Sequence, residues 1–152
     1  QALIGRAATR DDFEPTNWSF IEFGQSFSGT DAIRFRRNLH NVARAVGPFF
    51  EDYDVYISPT LAKPPVPLGD IDTTCPDWSE FFTHMFEFMP FTSLFNVSGA
   101  AGVSLPLWWN DDGLPIGCQF ISRMGRDGLL LSLAAQLERA APWADRKPPV
   151  CA

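Results

Sequence analysis

Basic and thiol chemistry are both scarce in this chain. Lys63 and Lys147 are its only lysines, and His40 and His84 its only histidines. Eighteen acidic residues against twelve arginines and lysines leave a net charge of −6. The densest basic group, Arg34, Arg36 and Arg37, lies on a predicted helix that itself needs a solvated face. A nucleic-acid partner is therefore not expected, because tracking a phosphate backbone takes a basic stripe. The three cysteines, Cys75, Cys118 and Cys151, are far apart and odd in number, with no C-x-x-C pair. That pattern excludes a disulfide framework or a cysteine-based zinc site and suits a reduced, cytosolic setting. No uninterrupted apolar stretch reaches the roughly 18 residues of a membrane-spanning helix, so no membrane partner is expected. Neither an initiator methionine nor a secretory leader opens the sequence at Gln1, which suggests part of a longer polypeptide.

What is abundant is aromatic and rigid: 14 Phe, 5 Trp and 13 Pro among 152 residues. A chain of this length forms about one domain and buries roughly 68–70% of its unfolded surface. A short helix is expected around residues 17–23, opened by Pro15-Thr16. Ser28-Gly29-Thr30-Asp31 then has the form of a capping box. From there Ile33, Phe35, Leu39, Val42, Val46 and Phe49 recur at helical spacing, until Gly47-Pro48 kinks or ends the helix. Phe49 and Phe50 are expected in the core.

Val55-Tyr56-Ile57 reads as a short buried strand stopped by Ser58-Pro59, and a proline-rich covering loop follows through Pro64, Pro65 and Pro67. Residues 77–89 are apolar round nearly the whole helical circumference, through Trp78, Phe81, Phe82, Met85, Phe86, Phe88 and Met89. Such a helix is either buried on every side or faces an apolar cavity. Residues 103–107 and 116–122 are two strands joined across "NDDG", a hairpin signal. Asp127 is expected to cap a last helix to about Ala140, with Leu130, Leu133, Ala134 and Leu137 on one face. The order α, α, β, α, β, β, α makes an α/β chain without repeats.

Reactive groups are sparse. There is no G-x-x-x-x-G-K-[ST], no G-x-G-x-x-G and no G-x-S-x-G. Gly99 and Gly102 precede a strand where a phosphate loop needs a helix, so they mark a close approach of another kind. Cys118 sits in an apolar strand with no neighbouring base to lower its pKa, and nothing in the sequence marks a serine as partner to Asp54 and His84. Asn96-Val97-Ser98 matches a glycosylation sequon without a secretory context.

Three stretches together carry more: "YDVYISPTLAKPPVPLG", "PFTSLFNVSGAAGVSLPL" and "DDGLPIGCQFISRMGRDGLLLSLAAQLERAAPWADRKPP". In order and spacing they resemble the C-terminal segment of amidase signature hydrolases, and "LIGRAATRDDFEPTNWSFIEFGQSFSGTD" resembles the segment preceding them. The specific elements are Asp54–Pro59 with Thr60, Asn96-x-x-Gly99, and Gly113-Leu114-Pro115-x-Gly117-x-Gln119. The Phe91–Asn96 wording is most similar to the branch containing 6-aminohexanoate-cyclic-dimer hydrolases. The resemblance implies an α/β fold, with this chain as the C-terminal portion of one large amidase domain, residues 1–152 supplying strands of a mixed sheet flanked by helices. It implies cofactor-free hydrolysis of amides through an acyl-enzyme, with a serine activated by a second, cis-bonded serine and a lysine. Those residues belong to a Gly/Ser-rich signature that is absent here: no Ser-Ser occurs, and neither lysine has the family's context.

The resemblance thus implies no catalytic residue in this chain, which alone is expected to be inactive. Its partners would be the N-terminal catalytic part of the same enzyme and a small-molecule amide. Phe88, Phe91 and Asn96 are the candidate substrate-pocket residues. Isolated, the chain is expected to self-associate through sheet edges and apolar surface. The alternative is a non-catalytic binding or scaffold module derived from the same fold.

Overall fold

Three strands, β1 (Tyr56–Pro59), β2 (Ala101–Trp109) and β3 (Pro115–Ser122), pair antiparallel in the order β1-β3-β2. In this computed structural model, which describes residues 5–147, the chain divides into two units. Of the described residues, 5–36 and 66–88 make up one, 37–65 and 89–147 the other.

The second unit is built on the β2–β3 hairpin. Asn110 N–H donates to the Leu114 carbonyl (3.0 Å), and the Asn110 side-chain oxygen accepts from Leu114 N–H (2.8 Å). Gly113 takes φ 76°, which a residue with a Cβ resists, so the "DDG" signal is a turn with a mechanism. A register shift between Pro106 and Trp108 leaves Leu107 without an opposite residue. Pro106, which has no N–H to give, is tolerated because β2 lies at a sheet edge. Pro59 is likewise inside edge strand β1, opposite Cys118, so the strand runs through Ser58-Pro59 instead of stopping there.

Opposed residues of antiparallel strands share a face. Leu105 and Phe120 lie on one face with Leu130 of α6 (Asp127–Ala140), packed by Leu133, Ala134 and Leu137 as their spacing requires. Asp127 is the first helical residue rather than the cap. The turn at Gly125 (φ 78°) brings the chain into the helix one residue early, and Asp127 stays in the first turn, where its charge favours the helix N-terminus. On the other face Ile121, 2% exposed, meets Phe50 and Phe95, with Val46, Tyr56 and Ala100 around them. Phe50 comes from the one-turn helix α3 (Phe49–Asp52), Phe95 from α5 (Ser93–Ser98). Only Phe50 of its pair is core; Phe49 is exposed and stacks on Tyr53.

In the first unit α1 (Pro15–Gln25) starts with Pro at N1, and Thr16, buried, donates its hydroxyl to the Cys75 carbonyl. Asp77 caps α4 (Trp78–Phe88) by accepting from Ser79 N–H at 2.8 Å. Trp78 stacks on Phe23 (4.1 Å between ring centroids), and Phe82 meets Phe20 (5.2 Å). Helix α4 is not buried all round; the cavity of about 280 Å³ that Glu80, Phe81 and His84 line is closed by the polar segment of Asp70, Asp72 and Cys75 and is not an apolar one. No residue of the helix is buried, and Phe86 is half-exposed, because α1 covers one stripe only. The remaining helix, α2 (Gly29–Val46), runs from the first unit into the second. Its capping box is formed: Ser28 N–H donates to Asp31 (3.0 Å) and Asp31 N–H to the Ser28 hydroxyl (3.2 Å). Only the end of its apolar stripe, Val46, packs on the core; no residue of α2 is buried, and Ile33 and Phe35 are 72% and 63% exposed.

Candidate functional site

The close approaches announced by the glycines are internal. Gly99 ends α5 in the left-handed region (φ 70°), giving its N–H to the Phe95 carbonyl at 3.1 Å. A Cβ on Gly102 would stand 2.8 Å from Ile121 Cδ1. A Cβ on Gly117 would stand 2.8 Å from both the Ser104 and the Thr60 hydroxyl oxygens, which bond each other at 2.6 Å. Gly99 is set by its left-handed backbone angle, and Gly102 and Gly117 by side chains of the neighbouring strands and of Thr60.

Register explains which residues gather there. Gln119 stands opposite Ser58 on one side and Ser104 on the other, with Gly117 two residues away on the same face. The apolar end of this face, at Ile121, is closed by α3 and α5, and its other end is polar. Gln119 is buried and spends its side-chain amide on two acceptors, the Ser58 hydroxyl and the Phe91 carbonyl, each at 3.3 Å.

Of the three candidate pocket residues, Phe88 is the last residue of α4, half-buried, in the first unit. Phe91 is half-buried in the turn before α5, and Asn96 is exposed on α5; both belong to the second unit. Phe91 is the one tied into the polar row. An apolar cavity of about 230 Å³ beside α5 is lined by Val46, Phe49, Phe50, Tyr56, Leu94 and Phe95, not by Phe91 or Asn96. A wider groove of about 490 Å³ includes Arg44, Arg123 and Glu51.

Neither Ser98 nor Cys118 is set up as a nucleophile among the described residues. Ser98 donates back to the Phe95 carbonyl (3.1 Å), as helical serines do. Cys118 packs beside the Leu105–Phe120–Leu130 core. Among the described residues neither histidine hydrogen-bonds to either of them, Cys75 and Cys118 are both free thiols, and no group of His, Cys, Asp and Glu is arranged to hold a metal. Cys151 lies outside the described residues. The carboxyls held below their usual range are surface caps and turns: Asp31 by Ser28, Asp72 by Thr74, Asp77 by Ser79, and Asp12 by Arg6 and Thr9. No helix of the described residues is long and apolar enough to cross a membrane.

The polar row on the sheet could not be read from spacing, because Ser58, Phe91, Ser104 and Gln119 are far apart in the chain. Its signals in the sequence are a glutamine inside an otherwise apolar strand and the Gly117-x-Gln119 part of the motif that resembles the family's.

A family model described as amidase matches residues 3–131. Over 152 residues the chain is 35% identical to the 6-aminohexanoate-cyclic-dimer hydrolase of Paenarthrobacter ureafaciens, covering 96% of this chain and 31% of that protein, its C-terminal part. A solved structure of 6-aminohexanoate cyclic dimer hydrolase superposes with a TM-score of 0.89 at 34% identity, over 97% of this chain and 32% of that one. A bacterial aryl acylamidase of the amidase signature family, 22% identical, shares the fold with a TM-score of 0.67 over 91% of this chain and 30% of its own. The chain thus spans about a third of the length of these relatives. The chain belongs to the amidase family.

Proposed function

We propose that this chain is the substrate-side, C-terminal portion of an enzyme that hydrolyses carboxylic amide C–N bonds. The observation that carries the reading is the near-complete superposition on a cyclic-dimer hydrolase, a structure of which was also solved with substrate. The scheme is acyl transfer. A serine oxygen adds to the amide carbonyl carbon, the C–N bond breaks as the amine leaves with a proton, and water then releases the acid from the serine ester. A cis-bonded serine and a neutral lysine move the proton, and backbone N–H groups hold the developing oxyanion. All of these groups come from the N-terminal catalytic part of the same polypeptide, consistent with the absence of a Ser-Ser pair from this sequence. No cofactor enters the scheme.

In the second unit Phe91 offers the substrate an aromatic border, with Asn96 as its polar member; Phe88, in the first unit, is a separate candidate contact. Aromatic walls with few polar groups suit the methylene stretches of linear or cyclic aliphatic amides. The isolated chain is inactive, and its exposed Ile33, Phe35 and Trp108 drive it to self-associate.

The test compares the full-length gene product with residues 1–152 alone, using 6-aminohexanoate cyclic dimer and a fluorophosphonate label. The full-length protein is expected to turn over the amide and to carry the label on a serine outside residues 1–152, while the short chain does neither. Amide turnover by the short chain, with fluorophosphonate label on Ser98 or loss of turnover on iodoacetamide alkylation of Cys118, would sink the reading. Light scattering on the same short chain shows whether it is larger than a monomer.

A further inference from the structure

We infer that Gln119 is a positioning residue for the substrate border, fixing Phe91 through the turn that leads into α5. The inference rests on the proposal that Phe91 borders the amide substrate.

A primary amide 6% exposed inside an apolar strand is costly unless its hydrogens find acceptors. Here both are engaged by one nitrogen, Nε2, on two different elements: the Ser58 hydroxyl of β1 and the main-chain carbonyl of Phe91. Ser58 is oriented to accept, because its own hydroxyl hydrogen is given to the Pro59 carbonyl at 3.0 Å. The Phe91 carbonyl needs an outside donor. The intrahelical bonds of α5 begin one residue later, with Phe95 and Asn96 N–H both donating to the Thr92 carbonyl at 3.1 and 3.2 Å. Without Gln119 this carbonyl loses its described donor, and the peptide before the helix is free to rotate, taking the Phe91 ring with it.

The adjacent part of the same motif works by shape. Because Gly117 has no side chain, Thr60 and Ser104 close over it, and Thr60 N–H bonds the Gly117 carbonyl at 2.9 Å. That closure holds the end of β1, and with it Ser58, at the distance Gln119 spans. In Gly117-x-Gln119 the glycine makes room and the glutamine makes the bond.

The experiment uses the full-length enzyme with Gln119→Met, which keeps the volume and removes both donors, and Gln119→Asn, which keeps the amide one methylene short of its acceptors. Phe91→Ala is measured in parallel. For 6-aminohexanoate cyclic dimer both Gln119 variants are expected to raise KM about tenfold, the factor that goes with one lost buried hydrogen bond, with kcat within about twofold. Amide exchange across residues 89–95 should quicken while exchange in α6 does not. The Asn variant keeps the test alive if the Met variant fails to fold. If Phe91→Ala raises KM and neither Gln119 variant does, positioning by Gln119 is refuted and the pocket reading survives. If Phe91→Ala also leaves KM unchanged, both fall together.

Discussion

Replacing Gly117 by alanine tests the tightest packing in the sheet. The new Cβ would lie 2.8 Å from Thr60 Oγ1 and Ser104 Oγ, and 3.2 Å from Thr60 Cβ. The two oxygens end short side chains and can rotate away, which sacrifices the 2.6 Å bond between them. The Thr60 Cβ cannot rotate away, and its backbone is tied to the Gly117 carbonyl, so the end of β1 must shift. Overpacking costs roughly 1–3 kcal/mol and the lost hydrogen bond about 1 kcal/mol, while alanine returns about 0.4–1 kcal/mol through the less disordered unfolded chain. The net is a destabilisation of about 2 kcal/mol, or roughly 4–8 °C in Tm for a chain of this size. Thermal and urea unfolding of residues 1–152, followed by circular dichroism, measure it. Thr60→Ala combined with Ser104→Ala should cost less in the Gly117→Ala background than in the parent, since the crowded atoms are then gone. A Tm within about 1 °C of the parent for Gly117→Ala would refute the reasoning, showing that β1 accommodates a methyl group without strain.

Three further outcomes are expected in the same unfolding assay. Gly128→Ala meets nothing within 4 Å in the first turn of α6 and should stabilise by about 0.5 kcal/mol, so a loss of stability would contradict the open space seen there. Ser28→Ala removes half of the reciprocal cap on α2 and should cost about 1 kcal/mol; no change would mean that this helix end frays in solution. The folded-state pKa values of Asp31, Asp72 and Asp77 are lowered by hydroxyl and N–H donors, so what these carboxylates contribute is complete above the ordinary carboxylate pKa of about 3.9 and is lost as pH falls through the lowered values. The urea midpoint should hold from pH 7 to 5 and decline below about pH 4, with a shallower acid limb in Asp31→Asn. A midpoint that rises on acidification would reverse the sign of the linkage.

Local signals were legible where one short stretch contains the whole cause. Pro15 opens α1, Ser28 and Asp31 cap each other, Gly113 turns the hairpin, and the leucines of α6 share one face. Helix α5 is not legible from spacing although Gly99 closes it in the left-handed conformation, because six residues are too few to show a helical period and Leu94, Phe95 and Val97 read equally well as a lead-in to β2. β2 and β3 are longer than their apolar runs, since pairing of Trp109 with Pro115 depends on the hairpin register and not on either strand alone. Gln119 and Gly117 stood out by resemblance to a family motif, but the reasons for them, Ser58, Thr60, Phe91 and Ser104, appear only once β1 and β2 flank β3.

The three glycines show why spacing announces a constraint without naming its cause. Gly99 is required by a backbone angle, Gly102 by the Ile121 side chain opposite it, and Gly117 by two hydroxyls on different strands. Helix α2 shows the complementary case. Its apolar residues recur as a buried face requires, yet Ile33 and Phe35 stand in the open. Periodicity says that a face is built to be covered and is silent about what covers it. In a chain that spans about a third of its relatives' length, Ile33 and Phe35 find no cover among the described residues. The packing of α6 and of the Phe50–Phe95–Ile121 core was selected against neighbours within these residues, and there pattern and structure agree.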